Sequence, residues 1–282
     1  MTASDVFIIG AGPAGLTASY LLTKEGVSTT VIEADPEYVG GISRTANYKD
    51  FKFDIGGHRF FSKSKEVVDL WKEILPQDFI ERPRLSRIYY NGKYFSYPLK
   101  AFEAFINLGP VESALCVLSY MYKRAAPNEN PVTFHEWVAN QFGERLFSIF
   151  FKTYTEKVWG IPCDEILATW AAQRIQGLSL TTAVANALFG GQKAKSLIEA
   201  FDYPVRGPGM MWERFHERIE SSGGELRLRS EVTRLCLEKG RIHRVVSREG
   251  AEELEFPARE LISSLPISTL VGMLDPKAPE AV

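Results

Sequence analysis

The stretch VFIIGAGPAG, Val6–Gly15, decides the fold class of the N-terminal part of this chain. The apolar run Val6–Ile9 predicts a buried strand that leads directly into the pattern G-x-G-x-x-G. In such a turn, Gly10 allows the tight bend, Gly12 lets the backbone approach a pyrophosphate, and Gly15 lets a helix pack against the strand. Free N–H groups and the positive end of the helix dipole favour an anion there. The stretch predicts a dinucleotide-binding turn.

The residues that follow support this interpretation. Apolar side chains recur at helical spacing from Ala14 to Leu22, and Gly26 is placed to end the helix. A second apolar run, 29–32, leads into Glu33, which lies 18 residues after Gly15. An acid at that distance can bind a ribose diol, and its charge disfavours a ribose that carries a 2′-phosphate. The alternative is a coincidental glycine-rich turn in another βαβ unit.

Composition excludes several classes of function. The chain has 282 residues, a net charge of −2 and a pI near 6.2, which gives no electrostatic argument for nucleic-acid binding. The most apolar stretch, Ala114–Met121, is too short to cross a bilayer, so no transmembrane segment is predicted. The first strand starts near residue 5, so no signal peptide is expected. Cys116, Cys163 and Cys236 form no zinc or redox pair, no metal site is predicted, and a cytoplasmic location is expected.

Periodicity divides the chain into two predicted domains. Residues 87–97 predict a hairpin around Asn91-Gly92, and a helical pattern then extends to about residue 200. Strands return between residues 225 and 265, after a helix over Met210–Glu220. We therefore predict an α/β protein: a Rossmann-type domain with a β-meander, built from residues 1–86 and 204–282, interrupted by a mostly helical domain at 87–203.

Two further glycine loops distinguish a flavin from a nicotinamide cofactor. GGISRT, 40–45, places two glycines before a cation and a hydroxyl group, Arg44 and Thr45, which suits the phosphates of an extended dinucleotide. DIGGH, 54–58, supplies a second flexible backbone segment that ends in His58. Taken alone, Arg44 is equally consistent with a solvated surface charge.

GAGPAG, Glu33, GGISRT and DIGGH together resemble the glutathione-reductase-type FAD fold of the amine-oxidase superfamily. That superfamily includes amine oxidases, protoporphyrinogen oxidase, phytoene desaturases and UDP-galactopyranose mutase. The resemblance implies FAD as the cofactor and a returning strand and turn at 263–266 near it. The cofactor-binding residues that it implies are Gly10, Gly12, Gly15, Glu33, Gly41, Arg44, Thr45, Gly56, Gly57 and Val232.

A narrower resemblance is carried by YTEKVWG, 154–160, with Arg174 downstream, and by GGHRFFSK, 56–63, and YFSYPLK, 94–100. These segments are similar to those of UDP-galactopyranose mutases. The resemblance implies a nucleotide-linked sugar as the substrate and NAD(P)H as the flavin reductant. It also allows a homodimer. It implies Tyr97, Tyr154, Trp159 and Arg174 as substrate-binding residues, and His58 and Arg174 as catalytic residues.

Other interpretations stay open. Bacterial mutases carry Gln at the position of Val158 and Pro at that of Gly57, so the substrate is in doubt. An FAD-dependent oxidase or desaturase that takes a hydride from an apolar substrate is the second hypothesis, and a non-catalytic binding protein is the third. Trp159 is equally consistent with a core aromatic residue, and His58 with a structural histidine. The resemblance also implies a longer protein, with a second diphosphate-binding arginine beyond Val282.

Overall fold

A computed structural model describes residues 4–97, 99–174 and 200–279, without the side chains of Ala101 and Arg174. Two compact units are present, Met1–Arg82 with Ala200–Val282 (unit 1) and Pro83–Glu199 (unit 2). The sequence-based boundaries lie at residues 86 and 204.

The elements of unit 1 are β1 (Val6–Ile9), α1 (Pro13–Lys24), β2 (Thr29–Ile32), β3 (Thr45–Tyr48), β4 (Phe51–Asp54), α2 (Lys65–Ile74), β5 (Phe79–Pro83), β8 (Ala200–Pro204), α9 (Gly209–Ser221), β9 (Glu225–Arg227), β10 (Glu231–Glu238), β11 (Arg241–Glu249), β12 (Glu252–Pro257), β13 (Glu260–Ser263), α10 (Ile267–Gly272) and β14 (Leu274–Asp275). The elements of unit 2 are β6 (Arg87–Tyr90), β7 (Lys93–Ser96), α3 (Ala101–Leu108), α4 (Pro110–Ala125), α5 (Phe134–Phe142), α6 (Glu144–Leu146), a π-helical segment (Phe147–Lys152), α7 (Thr153–Trp159) and α8 (Ala168–Arg174).

A parallel sheet in the order β13-β1-β2-β9 forms the centre of unit 1. Every residue of β1 and β2 is buried, as expected for strands that are covered on both faces. The late strand β13 pairs with β1, and the Oγ and N of Ser264 each donate a hydrogen bond to the carbonyl of Ile9 over 3.0 Å. The predicted βαβ unit and the returning strand are confirmed.

Two hydrophobic clusters cover the two faces of this sheet. Because side chains alternate along a strand, Val6 and Ile8 of β1 face one cluster and Phe7 and Ile9 the other. The first cluster is completed by α1 and α9, and the second by the sheet β12-β11-β10-β14. In that sheet, β10, β11 and β12 form the predicted antiparallel meander. Unit 1 is therefore a three-layer Rossmann-type α/β structure, as predicted.

Unit 2 is mostly helical and begins with the predicted hairpin. The central residues Asn91 and Gly92 both have positive φ, 46° and 77°, as a two-residue type I′ turn between β6 and β7 requires. The phenylalanine-rich π-helical segment contributes side chains to two different hydrophobic clusters. Phe147 packs with the cluster of α5 and α8, whereas Phe150 packs with the hairpin residue Phe95.

In the described residues, no single helix is both long and apolar enough to cross a bilayer. The pair Phe102–Leu108 and Pro110–Ala125 meets the criteria of length and composition only when taken together, and it is bent by 119°.

Gly40 provides a test of this packing. Its φ is +97°, and a Cβ there would lie 2.5 Å from Cδ1 of Trp212 in α9. Gly26 has a similar φ of +79° but a Cβ there would meet no atom within 4 Å.

Left-handed backbone costs an alanine about 1 kcal/mol at either site. Overpacking adds about 1–3 kcal/mol at Gly40 alone. Gly40→Ala is therefore expected to lower the free energy of unfolding, measured in urea, by clearly more than Gly26→Ala. Equal losses would contradict the packing described.

Candidate functional site

The glycine turn between β1 and α1 has one closed side and one open side. A Cβ on Gly15 would lie 2.0 Å from the carbonyl oxygen of Gly10, so the helix packs directly on the turn. A Cβ on Gly12, the N-cap of α1, would meet no atom within 4 Å. Pro13, the first residue of α1, has no N–H, so the next N–H groups of the first turn are the ones that face this open side. The open space therefore lies at a helix N-terminus, which attracts anions.

Glu33, at the end of β2, is held beside this turn by two backbone groups. Its carboxylate accepts hydrogen bonds from the N–H of Ala11 (2.8 Å) and the N–H of Asp35 (2.9 Å). Each carboxylate oxygen has a further lone pair for another donor. The backbone carbonyl of Glu33 accepts a hydrogen bond from Ser230 N, just before β10 begins. Val232 follows two residues later with a buried side chain, so its backbone is what a ligand could contact.

The GGISRT loop lies against the same turn. Gly40 N donates a hydrogen bond to the carbonyl of Ala11 (2.8 Å), and a Cβ on Gly41 would lie 3.5 Å from Cα of Gly12. Arg44 forms an ion pair with Asp35, and its guanidinium lies 5.3 Å from the centre of the Tyr38 ring. The loop therefore lies in contact with the glycine turn, and a cofactor beside Gly41 and Arg44 stays a prediction.

The ion pair has an electrostatic consequence for Asp35. Burial acts to raise the pKa of this carboxyl group. The N–H groups of Glu37 and Tyr38 and the Arg44 guanidinium outweigh burial, and the pKa is lowered from its ordinary value of 3.8. Asp35 is a residue that the sequence patterns did not single out, although it follows Glu33 by two positions.

Thr45 has a role that the sequence did not indicate. Its side chain is 6% exposed, and its hydroxyl accepts a hydrogen bond from Gly209 N over 2.9 Å. A Cβ on Gly207 or Gly209 would lie within 3.0 Å of Thr45. The hydroxyl thus joins the GGISRT loop to the start of α9, in the second segment of unit 1.

The DIGGH segment carries a buried atom without a hydrogen-bond partner. Asp54 accepts a hydrogen bond from the hydroxyl of Tyr203 (2.5 Å), and burial, with Asp54, raises the pKa of Tyr203. A Cβ on Gly57 would meet no atom within 4 Å, and a Cβ on Gly56 would lie 3.6 Å from Nε2 of His58. Within the described residues, Nε2 of His58 is buried and makes no hydrogen bond. Such an atom suits a ligand with a polar group.

The residues of unit 2 that the sequence predicts to bind substrate include exposed aromatic rings with polar groups. Tyr154 is 68% exposed and Tyr97 46%, with the guanidinium of Arg84 lying 5.0 Å from the centre of the Tyr97 ring. Trp159 is 48% exposed and contacts Trp170 edge to face at 4.8 Å, so it is not a fully buried core residue. Arg174 is the last residue of α8, and its side chain lies outside the described part of the chain.

The YTEKVWG stretch is also fixed locally. The Glu156 carboxylate accepts a hydrogen bond from Cys163 N (3.2 Å), and Gly160 ends α7 with a φ of +69°. The turn after Trp159 is therefore fixed by Glu156, which sequence reasoning did not single out.

His135, to which the sequence assigned no role, lies between two carboxylates. Its ring nitrogens are 2.5 Å from Glu144 and 2.9 Å from Asp164. Burial acts to lower the pKa of His135, but the hydrogen bonds to Glu144 and Asp164 outweigh it, and the pKa is raised. The three residues connect α5, α6 and the turn after α7, which is a structural role.

Several known proteins are similar to parts of this chain in sequence. A family model described as an NAD(P)-binding Rossmann-like domain matches residues 8–74. A probable UDP-galactopyranose mutase of Klebsiella pneumoniae is 26% identical over 180 residues, which cover 60% of this chain and 44% of the relative. An L-amino-acid oxidase of Crotalus adamanteus is 35% identical over 112 residues, covering 35% of this chain and 22% of the oxidase.

Solved structures extend the similarity to the whole fold. A reduced UDP-galactopyranose mutase superposes with a TM-score of 0.79 at 24% identity, covering 96% of this chain and 57% of that one. Putrescine oxidase bound to putrescine gives a TM-score of 0.59 at 20% identity, covering 99% of this chain and 62% of that one. These matches show that the chain shares the fold of these flavoenzyme-like structures. It spans about half the length of the mutases that it matches. Both oxidases and a mutase are among the proteins to which it is similar.

The ion pair beside the glycine turn predicts a pH-dependent contribution to stability. Because the folded-state pKa of Asp35 is lowered, its carboxylate stabilises the fold fully at neutral pH, and this contribution is lost as the pH falls below 3.8. Asp35→Asn is expected to cost about 1–2 kcal/mol of unfolding free energy at pH 7 and less as the solution is acidified.

The control is Asp69→Asn, which removes the exposed i,i+4 pair with Lys65 and is expected to cost less than about 0.5 kcal/mol. Urea titrations from pH 7 down to pH 3 measure both variants. A loss at Asp35 that is the same at every pH would contradict the assigned electrostatics.

Proposed function

We propose that this chain holds FAD in unit 1 and belongs to a flavoenzyme that acts on a nucleotide-linked sugar, like UDP-galactopyranose mutase. The observation that carries the cofactor assignment is the position of the Glu33 carboxylate, which is bonded to Ala11 N beside the open side of Gly12. A pyrophosphate at the N-terminus of α1 and a ribose diol on Glu33 both belong to one adenine dinucleotide.

The residues present fit an extended flavin dinucleotide. Gly12 leaves space for the pyrophosphate, Gly41 lies beside it, and the start of β10 at Val232 lies near the adenosine side of Glu33. The partnerless Nε2 of His58 and the exposed glycines 56 and 57 suit a ring system with polar edges. The negative charge of Glu33 favours a ribose without a 2′-phosphate. We therefore propose FAD for these groups, because it carries a pyrophosphate, a ribose without a 2′-phosphate and a ring with polar edges.

On the substrate side, unit 2 offers groups that match a nucleoside diphosphate. The exposed rings of Tyr97, Tyr154 and Trp159 can stack on a base and donate hydrogen bonds from their polar edges. Arg174 is proposed to pair with the diphosphate as a bidentate donor. When bound in its reduced form, the flavin supplies a nucleophilic nitrogen for the anomeric carbon of the sugar. Arg174 would neutralise the departing diphosphate, the aromatic rings would orient the nucleotide, and His58 would offer a polar group to the flavin. NAD(P)H is the proposed reductant.

A second candidate function is an FAD-dependent oxidase that takes a hydride from its substrate. The 35% identity to an L-amino-acid oxidase over 112 residues supports it, because this identity exceeds that to the mutase. The larger coverage of this chain by the mutase, 60% against 35%, supports the first candidate. Binding of UDP distinguishes the two.

Gly12→Val tests the cofactor site. The backbone of Gly12 has φ −75° and ψ 179°, which any residue adopts, so the new side chain fills only the proposed pyrophosphate space. We expect the affinity for FAD to fall at least about tenfold, a loss of roughly 1.4 kcal/mol or more. The melting temperature without FAD is expected to stay unchanged.

The matched control is Gly272→Val, at an exposed glycine where a Cβ would also meet no atom within 4 Å. FAD affinity is measured by fluorescence quenching on the refolded, flavin-free chain. Wild-type affinity for FAD in Gly12→Val would contradict the proposed site.

UDP binding tests the substrate assignment. Trp159→Ala removes a stacking ring and Arg174→Ala removes a phosphate partner, so each is expected to weaken UDP binding at least about tenfold in calorimetry. Tyr122→Ala, which removes an exposed aromatic ring from α4, is expected to leave UDP binding unchanged. UDP binding that survives both site substitutions removes the mutase-like function, whereas a wild type that does not bind UDP favours the oxidase.

A further inference from the structure

Helices α3 and α4 expose a set of large apolar side chains that neither candidate function uses. Each of the side chains is more than half exposed. We name as the α3–α4 surface the residues Phe102, Phe105, Ile106, Val111, Leu118 and Met121. At roughly 100 Å² each, they present about 600 Å² of apolar area, at the upper end of what monomers leave in water.

The pattern along α4 indicates that this exposure is built into the sequence. Ser113, Cys116 and Tyr120, spaced by three and four residues, are buried and attach α4 to its own unit. Val111 and Leu118 lie on the remaining face together with Ala114, Leu115, Met121 and Tyr122, all of them exposed. A helix that is apolar on two faces has a second nonpolar environment to occupy.

The exposed charged residues at the margins of the α3–α4 surface are basic. The two acidic residues of these helices are only partly exposed: Glu103 keeps its charge and accepts a hydrogen bond from a backbone N–H of β7, and Glu112 pairs with Arg145. Lys100 immediately precedes α3 and Arg124 lies in the last turn of α4, and both are exposed. Apolar area with basic residues at its ends is complementary to an anionic lipid surface.

We propose that the α3–α4 surface docks unit 2 onto an anionic phospholipid bilayer, with the two helices lying in the interface. The two helices meet at a bend of 119°, so neither continues the other across a bilayer. Their straight lengths, 7 residues for Phe102–Leu108 and 16 for Pro110–Ala125, are each shorter than the roughly 20 residues that a transmembrane helix needs. A second copy fits less well. A self-complementary surface would need exposed acidic groups to meet Lys100 and Arg124, and the carboxylates of α3 and α4 are only partly exposed. The proposal is independent of the proposed function.

Co-sedimentation of the full chain with lipid vesicles tests this proposal. We expect binding to vesicles of phosphatidylcholine mixed with phosphatidylglycerol, weaker binding to phosphatidylcholine alone, and release by salt. Leu118→Glu and Phe105→Glu are each expected to lower the partition coefficient at least about tenfold. Lys100→Glu combined with Arg124→Glu is expected to weaken binding to the anionic vesicles only.

Matched substitutions in unit 1 are the controls. Leu21→Glu changes a 46% exposed leucine of α1, and Lys65→Glu changes an exposed lysine of α2, and neither is expected to change vesicle binding. If circular dichroism shows that Leu118→Glu does not fold, Leu118→Ala replaces it. Leu118→Ala is expected to lower the partition coefficient by a smaller factor. Failure of the wild type to bind anionic vesicles, or equal losses in the controls, overturns the proposal. A dimer in sedimentation equilibrium that Leu118→Glu dissociates, with no vesicle binding, assigns the surface to a second copy and also overturns it.

Discussion

The architecture of unit 1 depends on one close backbone contact, between Gly15 of α1 and the carbonyl of Gly10. The ideal Cβ position at Gly15 lies 2.0 Å from that oxygen, so only glycine allows the helix to start so near the end of β1. This contact directs the N-terminus of α1 towards the open side of Gly12. It also brings β2 alongside β1, so that Glu33 reaches the N–H of Ala11. An anion site and a ribose-sized acceptor thus follow from a single packing requirement.

The rest of unit 1 is assembled around that turn by segments far apart in the chain. The hydroxyl of Thr45 bonds to Gly209 across 164 residues, and Ser264 bonds to Ile9 across 255. The GGISRT loop is attached through Gly40 and Ala11. Because these bonds converge on the glycine turn, a cofactor bound there would contact both halves of the discontinuous unit. We therefore expect cofactor binding and the stability of unit 1 to be coupled.

Local patterns made much of the fold predictable from the sequence. The strand Val6–Ile9, the hairpin turn at Asn91-Gly92 and the meander after residue 225 each carry a signal within a few residues. The long-range hydrogen bonds around the candidate site have no such local signal in the sequence. Nothing in the sequence near Thr45 indicates that Gly209 will donate to it, and nothing near Asp54 indicates Tyr203. Arg44 was predicted beside a cofactor, and its ion pair with Asp35 could not be predicted because it depends on the path of the loop. For Tyr154 and Trp159, which we propose as substrate residues, the residue types are evident in the sequence, whereas their exposure depends on the fold.

The central claim is that the turn around Gly12 and Glu33 holds a flavin dinucleotide and not a nicotinamide dinucleotide. The Rossmann-like match over residues 8–74 is compatible with both cofactors, and the claim for FAD rests on the additional loops at 40–45 and 54–58. The most direct measurement is a pair of calorimetric titrations of the flavin-free chain, one with FAD and one with NAD⁺. The account predicts that FAD binds at least about tenfold more tightly, a difference of roughly 1.4 kcal/mol or more. Equal affinities, or tighter binding of NAD⁺, would contradict it.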